Sequence, residues 1–140
     1  MSRVGAAPVP TQLVERCVAQ KLAVYHCYGS SEHPTVTSGT VDDPLDKQLY
    51  TEGRAIEGSE MRFVDDDGNE VGAGEEGEIC TRGPELFLGY FDTRLNKAAF
   101  LPEGWYRTGD IGRVDADGYL LITDRKKDII IRGGENISSK

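Results

Sequence analysis

The sequence is short of three things: basic side chains, cysteine and unbroken apolar runs. Sixteen Lys and Arg stand against twenty-four Asp and Glu, a formal net charge of −8. Nucleic-acid surfaces depend on clustered Lys and Arg, so that balance argues against a nucleic-acid partner. A nucleotide stays compatible if a divalent cation and a few placed donors carry its phosphate charge. Cys17, Cys27 and Cys80 are odd in number and far apart. They make neither a disulfide framework nor a metal-ligand cluster, and read as small buried hydrophobes in a reducing cytoplasm. No apolar run approaches membrane-spanning length, and MSRVGAAPVP lacks the apolar region of a secretory signal. What is present, 140 residues at 38% hydrophobic and 29% charged, suits one domain that buries a core without disulfides.

Thr11 to Lys21 shows helical periodicity. Leu13, Val14, Cys17 and Val18 share one face, and Gln12, Glu15, Arg16 and Gln20 the other. Leu22 to Tyr28 reads as a short strand ended by Gly29, and Gly29-Ser30-Ser31-Glu32 then sets two hydroxyls and a carboxylate on the turn after it. Open α/β sheets place ligands at such carboxyl ends of strands. The alternative is a Ser-rich turn with Glu32 solvated. His33 is placed beside this site and is not assigned as a general base. From Thr35 to Tyr50 the chain is polar and Asp-rich and reads as a connecting loop.

Beyond it, turn signals recur at Asp65–Asn69, Gly72–Gly74, Gly83-Pro84, Pro102–Gly104 and Asp117-Gly118. Strand-like runs lie between them: Met61–Val64, Glu78–Thr81, Trp105–Thr108, Ile111–Val114 and Tyr119–Thr123. That spacing predicts an antiparallel sheet closing towards a barrel. Phe87, Leu88, Tyr90 and Phe91 are expected to fill its end, followed by a helical turn at Thr93–Ala99. Asp65–Asp67 starts like a calcium loop, but the series breaks off and a hairpin tip is the better reading. The fold class is therefore mainly β with some α. A distorted antiparallel barrel-like subdomain (46–126) follows a helix–strand piece of an α/β subdomain (1–45), and 127–140 begins a further unit with the apolar strand Ile129–Ile131. That strand should dock on the barrel or stand as an exposed edge.

The hairpin across Asp115–Gly118 brings Asp110 close to Arg125. A carboxylate offers two acceptor oxygens to adjacent hydroxyls such as those of a ribose, and a guanidinium offers a fork of donors. A structural ion pair at a sheet rim would use the same two residues.

WYRTGD at 105–110, DRKKDIIIRGGENI at 124–137 and YGSSEHP at 28–34 together resemble the adenylate-forming superfamily, specifically its acyl-CoA synthetases of the fatty-acid–CoA ligase type. Three motifs in this order and spacing are specific, and the resemblance runs over most of the chain. It implies an α/β parent several times longer, of which this is an internal slice; the ends, which lack a cap or tail, read the same way. It implies a ligase using ATP, Mg²⁺ and CoA on a small-molecule carboxylate. In that pattern Tyr28 stacks on adenine with Gly29 beside it, Ser31 meets the α-phosphate, Glu32 helps hold Mg²⁺, and Asp110 with Arg125 binds the ribose. Gly5-Ala6-Ala7-Pro8 matches the opposite adenine wall, with Ala6 where a second glycine is usual. Lys127 matches the hinge to a mobile C-terminal domain, and Gly133 and Gly134 lie along the pantetheine arm of CoA. The family's phosphate loop and catalytic lysine would fall outside these residues, so no complete catalytic set is expected and the isolated 140 residues should be inactive. The alternatives are an adenylation domain serving a carrier protein and a non-catalytic β-rich interaction module.

Overall fold

Gly77–Arg82 is the strand on which the larger sheet is built, since five of its six residues are buried in sequence. Such a continuous run marks an interior strand covered on both faces. The computed structural model describes residues 2–4, 11–22, 24–126, 129–132 and 135–138. In chain order the strands are β1 (Ser2–Val4), β2 (Val24–Tyr28), β3 (Thr37–Ser38), β4 (Arg54–Ala55), β5 (Glu60–Val64), β6 (Gly77–Arg82), β7 (Phe100–Leu101), β8 (Trp105–Val114), β9 (Leu120–Arg125), β10 (Ile129–Arg132) and β11 (Glu135–Ser138). The helices are α1 (Thr11–Ala19), α2 (Leu45–Tyr50) and α3 (Asn96–Ala99).

The first sheet has the order β1-β2-β3-β4. β1 and β2 run parallel with α1 between them, the βαβ arrangement of an α/β unit, and β3 and β4 add antiparallel. The loop expected at 35–50 thus holds a short strand and a helix. Its polar sequence carries no periodicity because both elements are short and α2 buries none of its residues.

The second sheet is antiparallel and curled, a half-barrel in the order β5-β6-β8-β7 with β9 also on β8. β8 is one ten-residue strand where the sequence suggested two. One of its edges pairs with β6. The other is shared by β7 opposite 105–106 and β9 opposite 110–114. The Asp65–Asn69 turn is a hairpin tip, closed by the Asp65 amide donating to the Asn69 carbonyl at 2.9 Å.

A core of Tyr28, Val36, Ile79 and Leu120, backed by Met61 and Phe63, joins the two sheets. Each such side chain contributes about 1.5–3 kcal/mol on burial. Cys80 lies in a second cluster with Val64 and Trp105, where burial pushes its thiol up to about 11. β10 and β11 pair with each other in a separate two-stranded sheet. Among the described residues, no helix is long and apolar enough to cross a membrane.

Candidate functional site

The turn after β2 depends on one glycine and one serine. A Cβ on Gly29 would sit 2.1 Å from the Pro34 carbonyl oxygen, so no other residue fits there. The Ser30 amide donates to the His33 carbonyl at 2.9 Å, and the Ser30 hydroxyl oxygen accepts from the amides of Glu32 and His33, both at 3.2 Å. The turn's hydroxyls therefore divide the work: Ser30 shapes the backbone, and Ser31 is exposed beside a half-buried Glu32. His33 is fully buried, with Nδ1 3.0 Å from the Thr81 hydroxyl and Nε2 3.5 Å from Ser59. Burial, opposed by Glu85, lowers its pKa below the usual imidazole range, and it serves as a neutral strut between the turn and β6.

Asp110 and Arg125 are direct cross-strand partners, with Arg125 Nε 2.8 Å from Asp110 Oδ1. Asp110 lies on a bulge. Residues 108–110 stand opposite the single Ile79, because Cys80 pairs with Arg107 and Glu78 with Ile111. Gly109 takes φ +77° there. The Thr108 hydroxyl donates to the Ile79 carbonyl at 2.8 Å and accepts from the Asp110 amide at 3.1 Å. Such bulges re-aim side chains next to ligand sites.

The other Asp110 oxygen, Oδ2, accepts from the Tyr28 hydroxyl at 2.6 Å. Burial first, and the negative Asp110 next, drive the Tyr28 phenol far above its ordinary pKa, so it remains a donor. Both carboxylate oxygens are thus held, and each keeps a lone pair for a ligand hydroxyl. The Arg125 side chain is 62% exposed. Tyr28 itself is only 8% exposed, its ring shared with the core.

A third group reaches this place from the 87–91 segment, which the sequence marked only for packing. The Tyr90 hydroxyl donates to Glu32 Oε1 at 2.9 Å, and the Phe87 amide donates to the Glu32 carbonyl at 2.8 Å. Tyr106 sits 3.3 Å behind Tyr90, hydroxyl to hydroxyl. Burial, then Tyr90 and Glu32, raises the Tyr106 phenol, and Tyr28 lies near enough to add to that shift. Phe87 makes edge contacts with Tyr90 and Tyr106 and stacks on Phe100, at centroid distances of 4.9, 5.3 and 5.5 Å. Phe87 and Tyr90 therefore pack at the sheet end as expected. Leu88 and Phe91 do not: both stand fully in solvent, 105% and 106% exposed. An unbroken apolar block carries no period to separate its inner from its outer residues. The one available signal was the hydroxyl of Tyr90, which in a half-buried position calls for a partner.

β9 is tied down just past Arg125. The Lys126 ammonium bridges Asp66 at 2.7 Å and Glu78 at 3.2 Å, and its amide donates to the Gly109 carbonyl at 2.8 Å. Arg107 also pairs with Glu78, through Nε at 2.9 Å and through Nη2. Burial pushes the Glu78 carboxyl up, but Arg107 and Lys126 outweigh it and hold the group below the usual range.

Ala6, Ala7, Lys127, Gly133 and Gly134 lie outside the described residues. A hollow of about 440 Å³ lined by Ser38, Thr40, Asp43, Arg54 and Glu57 shares no residue with the Tyr28–Asp110–Arg125 and Glu32–Tyr90 groups. The hydrogen-bonded groups, and not that hollow, carry the convergent polar chemistry. Among the described residues, no three His, Cys, Asp or Glu are gathered to hold a metal. The Glu32 carboxylate offers one hard oxygen donor group, which would fit a cation that takes its other ligands from phosphate and water.

Residues 1–91 match the family described as AMP-binding enzyme. The medium-chain fatty-acid–CoA ligase of Escherichia coli K12 is 43% identical over 137 residues, covering 97% of this chain and 24% of that protein. The indoleacetate–CoA ligase of Aromatoleum aromaticum is 36% identical, covering 98% and 27%. Among solved structures, O-succinylbenzoate coenzyme A synthetase of Bacillus subtilis with ATP and a magnesium ion superposes with a TM-score of 0.80 at 33% identity, covering 96% of this chain and 28% of that one. The chain thus spans about a quarter of the length of the relatives it matches.

Proposed function

The chain belongs to the AMP-binding enzyme family, and from that premise we propose that it is the nucleotide-handling segment of an ATP-dependent acyl-CoA synthetase. The substrate carboxylate attacks the α-phosphorus of ATP, the bond to the β-phosphate oxygen breaks, and acyl-AMP and pyrophosphate result. The thiol of CoA then displaces AMP at the acyl carbon. The protein's contribution is positioning and charge stabilisation.

In this reading Asp110 accepts from the ribose hydroxyls, and Arg125 donates to the same nucleotide. Tyr28 and Gly29 flank the base opposite Ala6 and Ala7, and Ser31 donates to a phosphate oxygen. Glu32 holds Mg²⁺, which when bound neutralises phosphate charge. Lys127 is the hinge, and Gly133 and Gly134 meet the CoA arm. The observation that carries the reading is the hydrogen-bonded chain Tyr28–Asp110–Arg125 at the carboxyl end of β2, with Glu32 on the adjoining turn. Relatives named for acids as different as medium-chain fatty acids and indoleacetate resemble this segment at 43% and 36% identity. That breadth supports reading this segment as a part common to their chemistry.

The test uses the full-length enzyme and calorimetric titration with AMP. Arg125→Ala removes charged hydrogen bonds from an exposed side chain, so affinity should fall about tenfold or more while the melting temperature holds. Unchanged AMP affinity in both Arg125→Ala and Asp110→Asn refutes the site. Carboxylate-dependent ATP–pyrophosphate exchange followed by thioester formation with CoA is expected. Transfer only to a carrier protein selects the alternative acceptor, and neither reaction is expected of the isolated 140 residues.

A further inference from the structure

We propose that Tyr90 is a positioning residue for the Glu32 carboxylate, held in its donor role by Tyr106. The inference rests on the reading of Glu32 as a cation ligand and extends it to the loop at 87–90. Tyr90 has one hydroxyl proton, and it goes to Glu32 Oε1 at 2.9 Å. The 3.3 Å contact with Tyr106 must then run the other way, Tyr106 donating to the Tyr90 oxygen. The result is a directed relay, Tyr106 to Tyr90 to Glu32, in which each bond polarises the next.

The relay is anchored at every member. Tyr106 is 5% exposed and belongs to the interior strand pair β6–β8. Phe87 packs against both tyrosine rings, and its amide fixes the Glu32 carbonyl. The Tyr90 amide donates to Asn96 Oδ1 at 2.8 Å, next to Gly89 at φ +134°. Glu32 is therefore gripped by loop 87–90 at its backbone and at its side chain, which leaves it one orientation. A carboxylate with a single preset rotamer meets an incoming metal–nucleotide without losing side-chain freedom on binding. The remaining lone pairs of the carboxylate suffice for one bond to a cation.

The experiment is Mn²⁺ binding to the full-length enzyme, read by electron paramagnetic resonance with a non-hydrolysable ATP analogue, alongside AMP affinity in metal-free buffer. Tyr90→Phe should weaken Mn²⁺ about tenfold, the loss expected for one hydrogen bond to a charged group, with metal-free AMP affinity unchanged. Tyr106→Phe keeps the Tyr90–Glu32 bond and should give a smaller loss of the same kind; it carries the test if Tyr90→Phe does not fold. Equal losses of Mn²⁺ and metal-free AMP affinity would mean a structural role only and overturn the proposal. So would wild-type Mn²⁺ affinity in both tyrosine variants while Glu32→Gln loses the metal. If Glu32→Gln itself binds Mn²⁺ normally, the metal reading of Glu32 is refuted along with this one.

Discussion

Tyr28→Phe removes one oxygen atom and leaves the aromatic ring in the core. The ring keeps its packing against Val36, Ile79 and Leu120, so the change isolates the 2.6 Å bond to Asp110. Both residues are 8% exposed, and water does not readily replace the lost donor. A hydrogen bond to a charged group contributes about 1.5–3 kcal/mol, so unfolding free energy should fall by about 2 kcal/mol. Urea denaturation followed by the fluorescence of Trp105, the single tryptophan, reads the change as a shift in midpoint at constant slope. In a double-mutant cycle with Asp110→Asn the two losses should overlap, with an interaction energy above about 0.5 kcal/mol. The variant should also alter the alkaline limb. The folded Tyr28 pKa is raised above the ordinary value of 10.0, so its contribution is complete below pH 10 and declines as pH rises beyond it. Tyr28→Phe removes that part of the decline and leaves the part from Tyr106, which is raised likewise. An unchanged urea midpoint, or strictly additive losses in the cycle, would refute the account of Tyr28 as the residue that holds Asp110.

Glu78→Gln strips the shared carboxylate from Arg107 and Lys126. Arg107 and Lys126 are partly exposed and regain water, so the loss should be about 1.5–3 kcal/mol, that of hydrogen bonds to a charged group, measurable in the same urea titration. Because the folded Glu78 pKa is depressed below the ordinary 4.5, its stabilisation is present above that pH and is lost as pH falls through the folded value. The variant should show a flatter acid limb, and an acid limb identical to wild type would contradict the assignment. Phe91→Ser should change stability by less than about 0.5 kcal/mol despite the loss of a large aromatic ring, because the side chain is fully exposed. A loss above about 1 kcal/mol would place Phe91 in the packed cluster after all.

The sequence was most informative where chemistry and local geometry coincide. The Asp117-Gly118 turn signal between an apolar run and an aromatic one implies the β8–β9 hairpin. That hairpin in turn implies the Asp110–Arg125 pair, because strand register follows from the turn. α1 was likewise visible in its periodicity and β2 as the short run ended by Gly29, and the three motifs carried the family. α2 and β3 were not visible, since elements of six and two residues are too short to establish a period.

What depends on contacts far apart in the chain was decided only by the tertiary structure. Tyr28 and Asp110 are 82 positions apart and Glu32 and Tyr90 are 58 apart; no local pattern relates them. The same holds for His33, whose partners are Ser59, in the loop before β5, and Thr81 on β6, and which they make a strut. Residue types and turns specified which groups could serve a nucleotide. Burial, through the shared core of two sheets, determined which of them face one another, because each buried hydroxyl and carboxylate must find a partner once water is excluded.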